Sequence, residues 1–137
     1  MRGIKYYLNE KYDFVEIKEC NFQMHSSRPH LHNEISIGLI ESGECCLDVF
    51  GQCHNIKTKS ILIIPADNIH ACHPENIDNW SFKMIYINRD WMTKNISHET
   101  DKIQFQYKVL ADEKYSVIKM MFQNLEKAAG KFEVETI

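Results

Sequence analysis

The chain has 137 residues, 44% of them hydrophobic and 26% charged, with a formal net charge of −3. That composition describes one globular domain with enough chain to bury a core, and it excludes a low-complexity or disordered polypeptide. A slightly acidic balance also argues against a large nucleic-acid-binding surface on this chain itself.

Residues 1–14 lack the continuous apolar run of a signal peptide. No stretch reaches the roughly 18 apolar residues that crossing a bilayer takes. A cytoplasmic address and no membrane partner are expected. Five cysteines are present, an odd number with no CxxC pair. They read as reduced thiols packed as small hydrophobes. The competing reading gives a redox or soft-metal role to Cys45–Cys46, or to the Cys53–His54 and Cys72–His73 pairs.

In chain order, "YDFVEIKEC" (residues 12–20) alternates apolar and polar side chains and reads as a strand. "EISIGLIES" (34–42) alternates as well, with Ile35, Ile37 and Leu39 on one side. "CCLDVF" and "QCHNIKT" flank Gly51 and predict a hairpin turning near Gly51–Gln52, with Leu47, Val49, His54 and Ile56 on one face. "SILIIP" (60–65) is a short apolar strand closed by proline. "WSFKMIYI" (80–87) sets Trp80, Phe82, Met84 and Tyr86 opposite Ser81, Lys83, Ile85 and Ile87. A series of short strands with turn signals between them favours a sandwich or barrel.

The period then changes. Tyr115, Ile118, Phe122, Leu125 and Ala129 follow helical spacing, with Asp112 placed as N-cap and Gly130 as the residue after the helix. The apolar stripe either packs on the barrel or pairs with its twin in a dimer.

Residues i, i+2 and i+4 of a strand point the same way, so His30, His32, Glu34 and Ser36 share one face if the extended run is unbroken. Two imidazoles and a carboxylate form a set that suits Fe(II) and similar ions. His70, in "PADNIH", offers a third imidazole. The same groups can hydrogen-bond a polar ligand, or simply fill the barrel. His25, His54, His73 and His98 read as structural or surface residues, as does Arg28. Neither a GxSxG elbow nor a phosphate-cradling glycine loop is present.

"HLH" followed by "ILIIPADNIH" resembles the two motifs of the cupin superfamily, and His30, His32 and His70 match its three histidines. The position of the motif's glutamate is Ser36, with Glu34 two residues early. Two glycines of the second motif are replaced by Lys59 and Asp67. A narrower resemblance covers residues 20–90: "HLHNEISIGLIESGE", a glycine-centred hairpin, "SILIIPADNIHACHP" and "WSFKMIYI" arrive in the order seen in the N-terminal effector-binding domain of AraC-type transcription regulators.

That resemblance implies a mainly β fold, a cupin-like double-stranded β-helix (jelly-roll) barrel followed by a C-terminal α-helical segment. Residues 1–110 form the barrel with an N-terminal arm over the pocket mouth, and residues 111–137 an amphipathic dimerisation helix. The family's helix-turn-helix DNA-binding half has no counterpart in this sequence. The implied function is effector sensing in transcription regulation, without enzyme activity, as a homodimer that meets DNA only through that missing domain. The effector is a small polar molecule, a sugar or small acid, held by His30, His32, Glu34, Ser36, His70, Trp80 and Tyr86. No cofactor is expected. The alternative is a small metal-dependent cupin enzyme with a divalent metal on His30, His32 and His70, and serine at the glutamate position counts against it.

Overall fold

The computed structural model describes residues 3–22, 30–31, 33–129 and 131–135. Its strands are β1 (Gly3–Leu8), β2 (Val15–Asn21), β3 (His30–Leu31), β4 (Glu34–Ser42), β5 (Cys45–Val49), β6 (Gln52–Ile56), β7 (Ser60–Ile64), β8 (Ile69–Pro74), β9 (Ser81–Asn88), β10 (Gln106–Val109) and β11 (Lys131–Glu135). Two α-helices accompany them, α1 (Arg89–Asn95) and α2 (Asp112–Ala129). A seven-stranded sheet runs β10-β7-β4-β9-β2-β1-β11, and a four-stranded sheet runs β3-β8-β5-β6. Every strand pairing is antiparallel.

The central strands of the larger sheet are buried on both faces. Its inner face contributes Ile4, Cys20, Ile40, Leu62, Ile64 and Phe82 to a core shared with Cys45, Leu47, Val49 and Ile56 of the smaller sheet. Its outer face contributes Ile17, Leu39 and Ile85 to a second cluster closed by Phe122, with Tyr115 and Ile118 packed alongside. Helix α2 thus packs on the barrel, as one of the two readings of its stripe expects. Asp112 is the first helical residue rather than a cap, and its carboxylate accepts a hydrogen bond from Lys59 Nζ at 2.6 Å. Gly130 lies outside the described residues.

Three segments depart from expectation. The residues expected as an arm over the pocket mouth form β1, paired with β2 on one side and β11 on the other. The segment 111–137, expected as one helix, divides into α2 and the strand β11. Isolated amphipathic patterns do not reveal this, because a sheet edge is completed by strands from the far end of the chain. Cys46 and Cys53 are joined in a disulfide with a Cα–Cα distance of 5.5 Å, whereas Cys20, Cys45 and Cys72 are free thiols as expected. Hairpin register makes the pair: Cys46 lies opposite Asn55 and Asp48 opposite Cys53, so the two cysteines are diagonal neighbours on one face.

Turn geometry explains that register. The β5–β6 turn is Phe50–Gly51, one residue earlier than the sequence suggests. Both residues have positive φ, +50° and +80°, as a two-residue turn of the primed type demands. Leu47, Val49, His54 and Ile56 share a face all the same. Gly43, at φ +84°, is fixed by crowding as well: a Cβ there would sit 2.8 Å from the Asn79 carbonyl oxygen. That close approach seats the segment leading into Trp80, which is 1% exposed.

Helix α2 is tied down by charge as well as by apolar contact. Lys83 Nζ donates to Glu126 Oε1 at 2.6 Å, and both side chains are buried. In register beside them, Glu19 stands between Lys83 and Lys5, and Tyr7 Oη donates to Glu19 at 3.2 Å. Burial, then the Glu19 and Glu126 charges, push the Tyr7 hydroxyl pKa far above its ordinary value. Removing one partner of a buried ion pair leaves a charge without compensation and costs about 3–5 kcal/mol, whereas replacing both with apolar groups is often neutral. Glu126→Ala or Lys83→Ala alone should therefore lower unfolding free energy in urea by about that amount. The double variant Lys83→Met/Glu126→Leu should recover most of it, and equal losses in single and double variants would show that the pair does not hold the helix.

Candidate functional site

The interior between the sheets encloses a cavity of about 50 Å³. Strand register builds its walls. On the larger sheet, Met84 lies between Lys18 and Gly38, and Tyr86 between Glu16 and Ser36. Gly38 leaves room in this row: a Cβ there would lie 2.9 Å from both Leu62 Cδ2 and Met84 Sδ. On the smaller sheet, Leu47 faces Cys72 and Val49 faces His70. Trp80 and Phe82 close one end, their ring centroids 5.4 Å apart.

Of the residues expected to meet an effector, Ser36, His70, Trp80 and Tyr86 line this cavity. Ser36 is 1% exposed, and its Oγ has no hydrogen-bond partner. A buried polar atom left unmade carries the full desolvation cost of that group, so an orphan hydroxyl on a cavity wall is an anomaly that a bound group would relieve. Glu34 begins β4 opposite Asn88 and is not among the lining residues. His30 stands directly opposite His70 in the β3–β8 ladder. His32 lies outside the described residues.

His70 Nδ1 lies 3.0 Å from the Asn68 carbonyl oxygen and, when protonated, donates to it. The turn that presents it carries Asp67 at φ +66°, held by a bond from Arg89 Nη1 to the Asp67 carboxylate. Burial lowers the His70 pKa below its ordinary value, and the Lys18 charge adds to that, while the Asn68 carbonyl opposes both. Burial is also what pushes the Tyr86 hydroxyl pKa well up, with neighbouring Tyr6, Glu16 and Glu34 adding to it.

Three lining residues escape the sequence reading: Lys18, Cys45 and Cys72. Lys18 is 1% exposed, with Nζ 5.4 Å from the Phe82 ring centroid. In "VEIKEC" the apolar phase, Val15 and Ile17, looks like the core face, yet it packs under α2 and the other phase faces the cavity. Cys20, in phase with Lys18, was the signal. The Cys45 and Cys72 thiols interact directly. Cys45 donates toward Cys72, which together with burial pushes Cys45 far up, and the same bond holds Cys72 below its ordinary value.

A second cavity of about 430 Å³ lies on the outer face of the larger sheet, walled by Phe14, Ile85, Ile87, Trp91, Leu125 and Ala128. The Phe14 and Trp91 rings stack at 3.8 Å. It is larger and mostly apolar, with Tyr7, Asn9 and Tyr12 as its polar lining, but its described residues hold no buried side-chain polar atom without a partner, of the kind the interior cavity has at Ser36. The interior cavity is the better candidate.

Residues 15–135 match the family model of the AraC-like ligand binding domain. The chain belongs to that family. Among solved structures it is similar to an RmlC-like cupin family protein with a double-stranded beta-helix fold from Methanocaldococcus jannaschii, at 19% identity and TM-score 0.56, covering 69% of this chain and 86% of that one. It is likewise similar to a cupin superfamily protein from Desulfitobacterium hafniense, at 20% identity and TM-score 0.52, covering 61% and 76%. Oxalate decarboxylase of Bacillus subtilis, a protein with Mn(II) centres, is similar at 9% identity and TM-score 0.51, covering 64% of this chain and 26% of that one. These likenesses establish the cupin fold of the AraC-like domain. The comparison with curated proteins yields no match.

Among the described residues no group of three or more His, Cys, Asp or Glu side chains is placed to hold an ion. Ser36, a neutral hydroxyl, stands on the cavity wall where the cupin pattern has its carboxylate, and Glu34 is off that wall.

His70 gives a pH prediction. Its folded pKa lies below the ordinary 6.5, so the unfolded chain binds the proton more readily. The stability linked to His70 is fully present above pH 6.5 and is lost as pH falls from there through the depressed folded value. Thermal unfolding followed from pH 7.5 down to about 5 should show a decline that His70→Gln makes shallower. Parallel declines in both proteins would exclude His70 as its source.

Proposed function

We propose that this AraC-like domain is the effector-sensing and dimerisation part of an AraC-type transcription regulator, working in the cytoplasm. In this reading a small polar molecule, a sugar or small acid, occupies the interior cavity and meets Ser36, His70, Trp80 and Tyr86, and His30 and His32 are proposed to bind it as well. Glu34 adds its charge at Tyr86. DNA contact belongs to a separate helix-turn-helix domain. The domain itself does no chemistry. In a reducing cytoplasm the exposed Cys46–Cys53 hairpin bond would open to thiols.

The observation that carries the proposal is the unpartnered Ser36 hydroxyl on the wall of a mostly apolar cavity between the sheets, in a domain of this family. An effector acts by preferring one arrangement of barrel and helix over another, and shifts the balance only by that difference in affinity.

Dimerisation is supported by helix α2. Its buried face holds Phe122 and Glu126. The adjoining arc leaves Val117, Met120, Met121 and Leu125 at 58%, 60%, 54% and 43% exposure. These positions fall on neighbouring turns of one side, a continuous apolar surface that a second copy would cover.

A metal-dependent enzyme is the second reading, and the His30–His70 pairing in the β3–β8 ladder favours it. Plasma mass spectrometry on untagged protein separates the two. Sub-stoichiometric metal, unchanged in His30→Ala and His70→Ala, is expected. An equimolar iron, nickel, zinc or manganese content lost in both variants would make the enzyme the better reading. For the dimer, Val117→Lys/Met121→Lys should turn a dimer into a monomer in sedimentation equilibrium while the far-ultraviolet circular dichroism stays that of the folded chain, because both side chains are exposed on a single copy. A wild-type protein that is monomeric at its highest soluble concentration would end that part of the proposal.

A further inference from the structure

We propose that Cys45 and Cys72 form a reactive thiol pair whose substrate is a small hydroperoxide, with Cys72 attacking the peroxide and Cys45 closing a disulfide onto it. This goes beyond effector sensing and does not depend on which molecule occupies the cavity.

Strand register places the pair. Cys45 stands opposite Pro74 and Leu47 opposite Cys72 in the β5–β8 ladder, so the two cysteines are diagonal neighbours on one face. Both line the interior cavity. The same diagonal offset, on the other edge and the other face of β5, joins Cys46 to Cys53 at a Cα–Cα distance of 5.5 Å. Strand twist has one hand on both faces of a sheet, so the offset that serves one pair serves the other. Cys45 and Cys72 are nevertheless free thiols, and the Cys45 S–H donates toward the Cys72 sulfur. The two sulfurs already meet.

Their chemistry differs. The thiolate is the nucleophilic form of cysteine. The bond from Cys45 holds Cys72 below its ordinary pKa against the effect of burial, and the Lys18 charge acts in the same direction. Cys45, the donor, is pushed far up and keeps its proton. Cys72 is also the more open of the two, part-exposed where Cys45 is 3% exposed. An accessible sulfur of lowered pKa beside a protonated thiol is the arrangement of a peroxide-reactive cysteine and its resolving partner. A cavity of about 50 Å³ admits the two oxygen atoms of hydrogen peroxide but not a bulky aryl group.

The Cys72 thiolate attacks one peroxide oxygen and the O–O bond breaks. The hydroxide that leaves takes up the proton that Cys72 released, giving water and a sulfenic acid on Cys72. The Cys45 sulfur then bonds the Cys72 sulfur as the S–O bond breaks, and its proton leaves with the hydroxyl as a second water. The thiol pair loses two electrons and the peroxide gains them. A dithiol reductant reverses the change.

The test uses the full chain, reduced and desalted, with one equivalent of hydrogen peroxide. In Cys46→Ser/Cys53→Ser, which keeps Cys20, Cys45 and Cys72, the Cys45 and Cys72 thiols should disappear together. Tandem mass spectrometry should find them linked. Cys20 should stay free, because it is 0% exposed and is not among the cavity's lining residues. The reaction should outpace that of glutathione at the same pH by about ten-fold or more, as a larger thiolate fraction implies. Adding Cys45→Ser should leave a sulfenic acid on Cys72 that dimedone traps. Adding Cys72→Ser instead should leave Cys45 unreacted. Cumene hydroperoxide should react at least about ten-fold more slowly than hydrogen peroxide, because it exceeds the cavity.

A rate no greater than that of glutathione, or sulfenic acid on Cys45 in place of Cys72, overturns the proposal. So does equal reactivity toward the two peroxides. Should a serine variant not fold, tandem mass spectrometry of the oxidised wild-type protein decides. A Cys45–Cys72 link there upholds the pair, and a Cys46–Cys53 link alone overturns it.

Discussion

Strand β9 is buried on both faces, and the rest of the molecule is arranged around that constraint. It lies at the centre of the larger sheet, between β2 and β4. Phe82, Met84 and Tyr86 face the cavity, while Lys83 and Ile85 face the outer side, where the helix packs. Strict alternation makes the two roles inseparable, since slipping the register by one residue would send the ion-pairing lysine into the cavity and the aromatic residues under the helix. The Lys83–Glu126 pair therefore contributes specificity beyond its own energy. A helix held by apolar contact alone could slide or rotate, whereas a buried carboxylate has one place where its charge is met.

The turns show how the same backbone persists under different side chains. Lys59 and Asp67 stand where the cupin pattern has glycine, and both keep positive φ, +69° and +66°. A left-handed residue other than glycine costs on the order of 1 kcal/mol. Local bonds offset that cost. The Lys59 backbone N–H bonds the Ile40 carbonyl and its side chain reaches Asp112, while Asp67 takes the Arg89 guanidinium. Each substituted residue thus uses its side chain to tie a turn to a helix, α2 in one case and α1 in the other, which glycine could not do. Gly38 differs, because no positive φ is recorded for it and the missing side chain is what lets Leu62 and Met84 pack over its backbone.

The barrel was legible in the sequence because its strands are short, alternating and bounded by turn residues. The 34–42, 60–65 and 80–87 strands fall within a residue of where their pattern puts them, and the hairpin is found with its turn one residue early. What was hidden depends on pairing across long separations. β1 and β11 are neighbours although they lie at opposite ends of the chain, and no local pattern reports that. Ser36, His70, Trp80 and Tyr86 were legible as cavity residues because each belongs to a motif or to an aromatic phase. Lys18 was not, because a lysine among alternating residues ordinarily marks the wet face of a sheet. Only a sheet covered on both sides turns that phase inward, and the covering helix lies about a hundred residues downstream.

These facts bear on how an occupied cavity could be felt outside the barrel. The side chain most easily displaced by a ligand is Met84, flexible and packed against the gap at Gly38. Its neighbour in the chain, Lys83, is bonded to the helix whose exposed apolar arc is proposed as the dimer face. A movement of β9 that accommodates a ligand on one side must be absorbed on the other by α2, since interiors at this density do not deform smoothly. Adjacency of this kind is a route and not yet a coupling, because a ligand biases the helix only if it binds its two positions unequally.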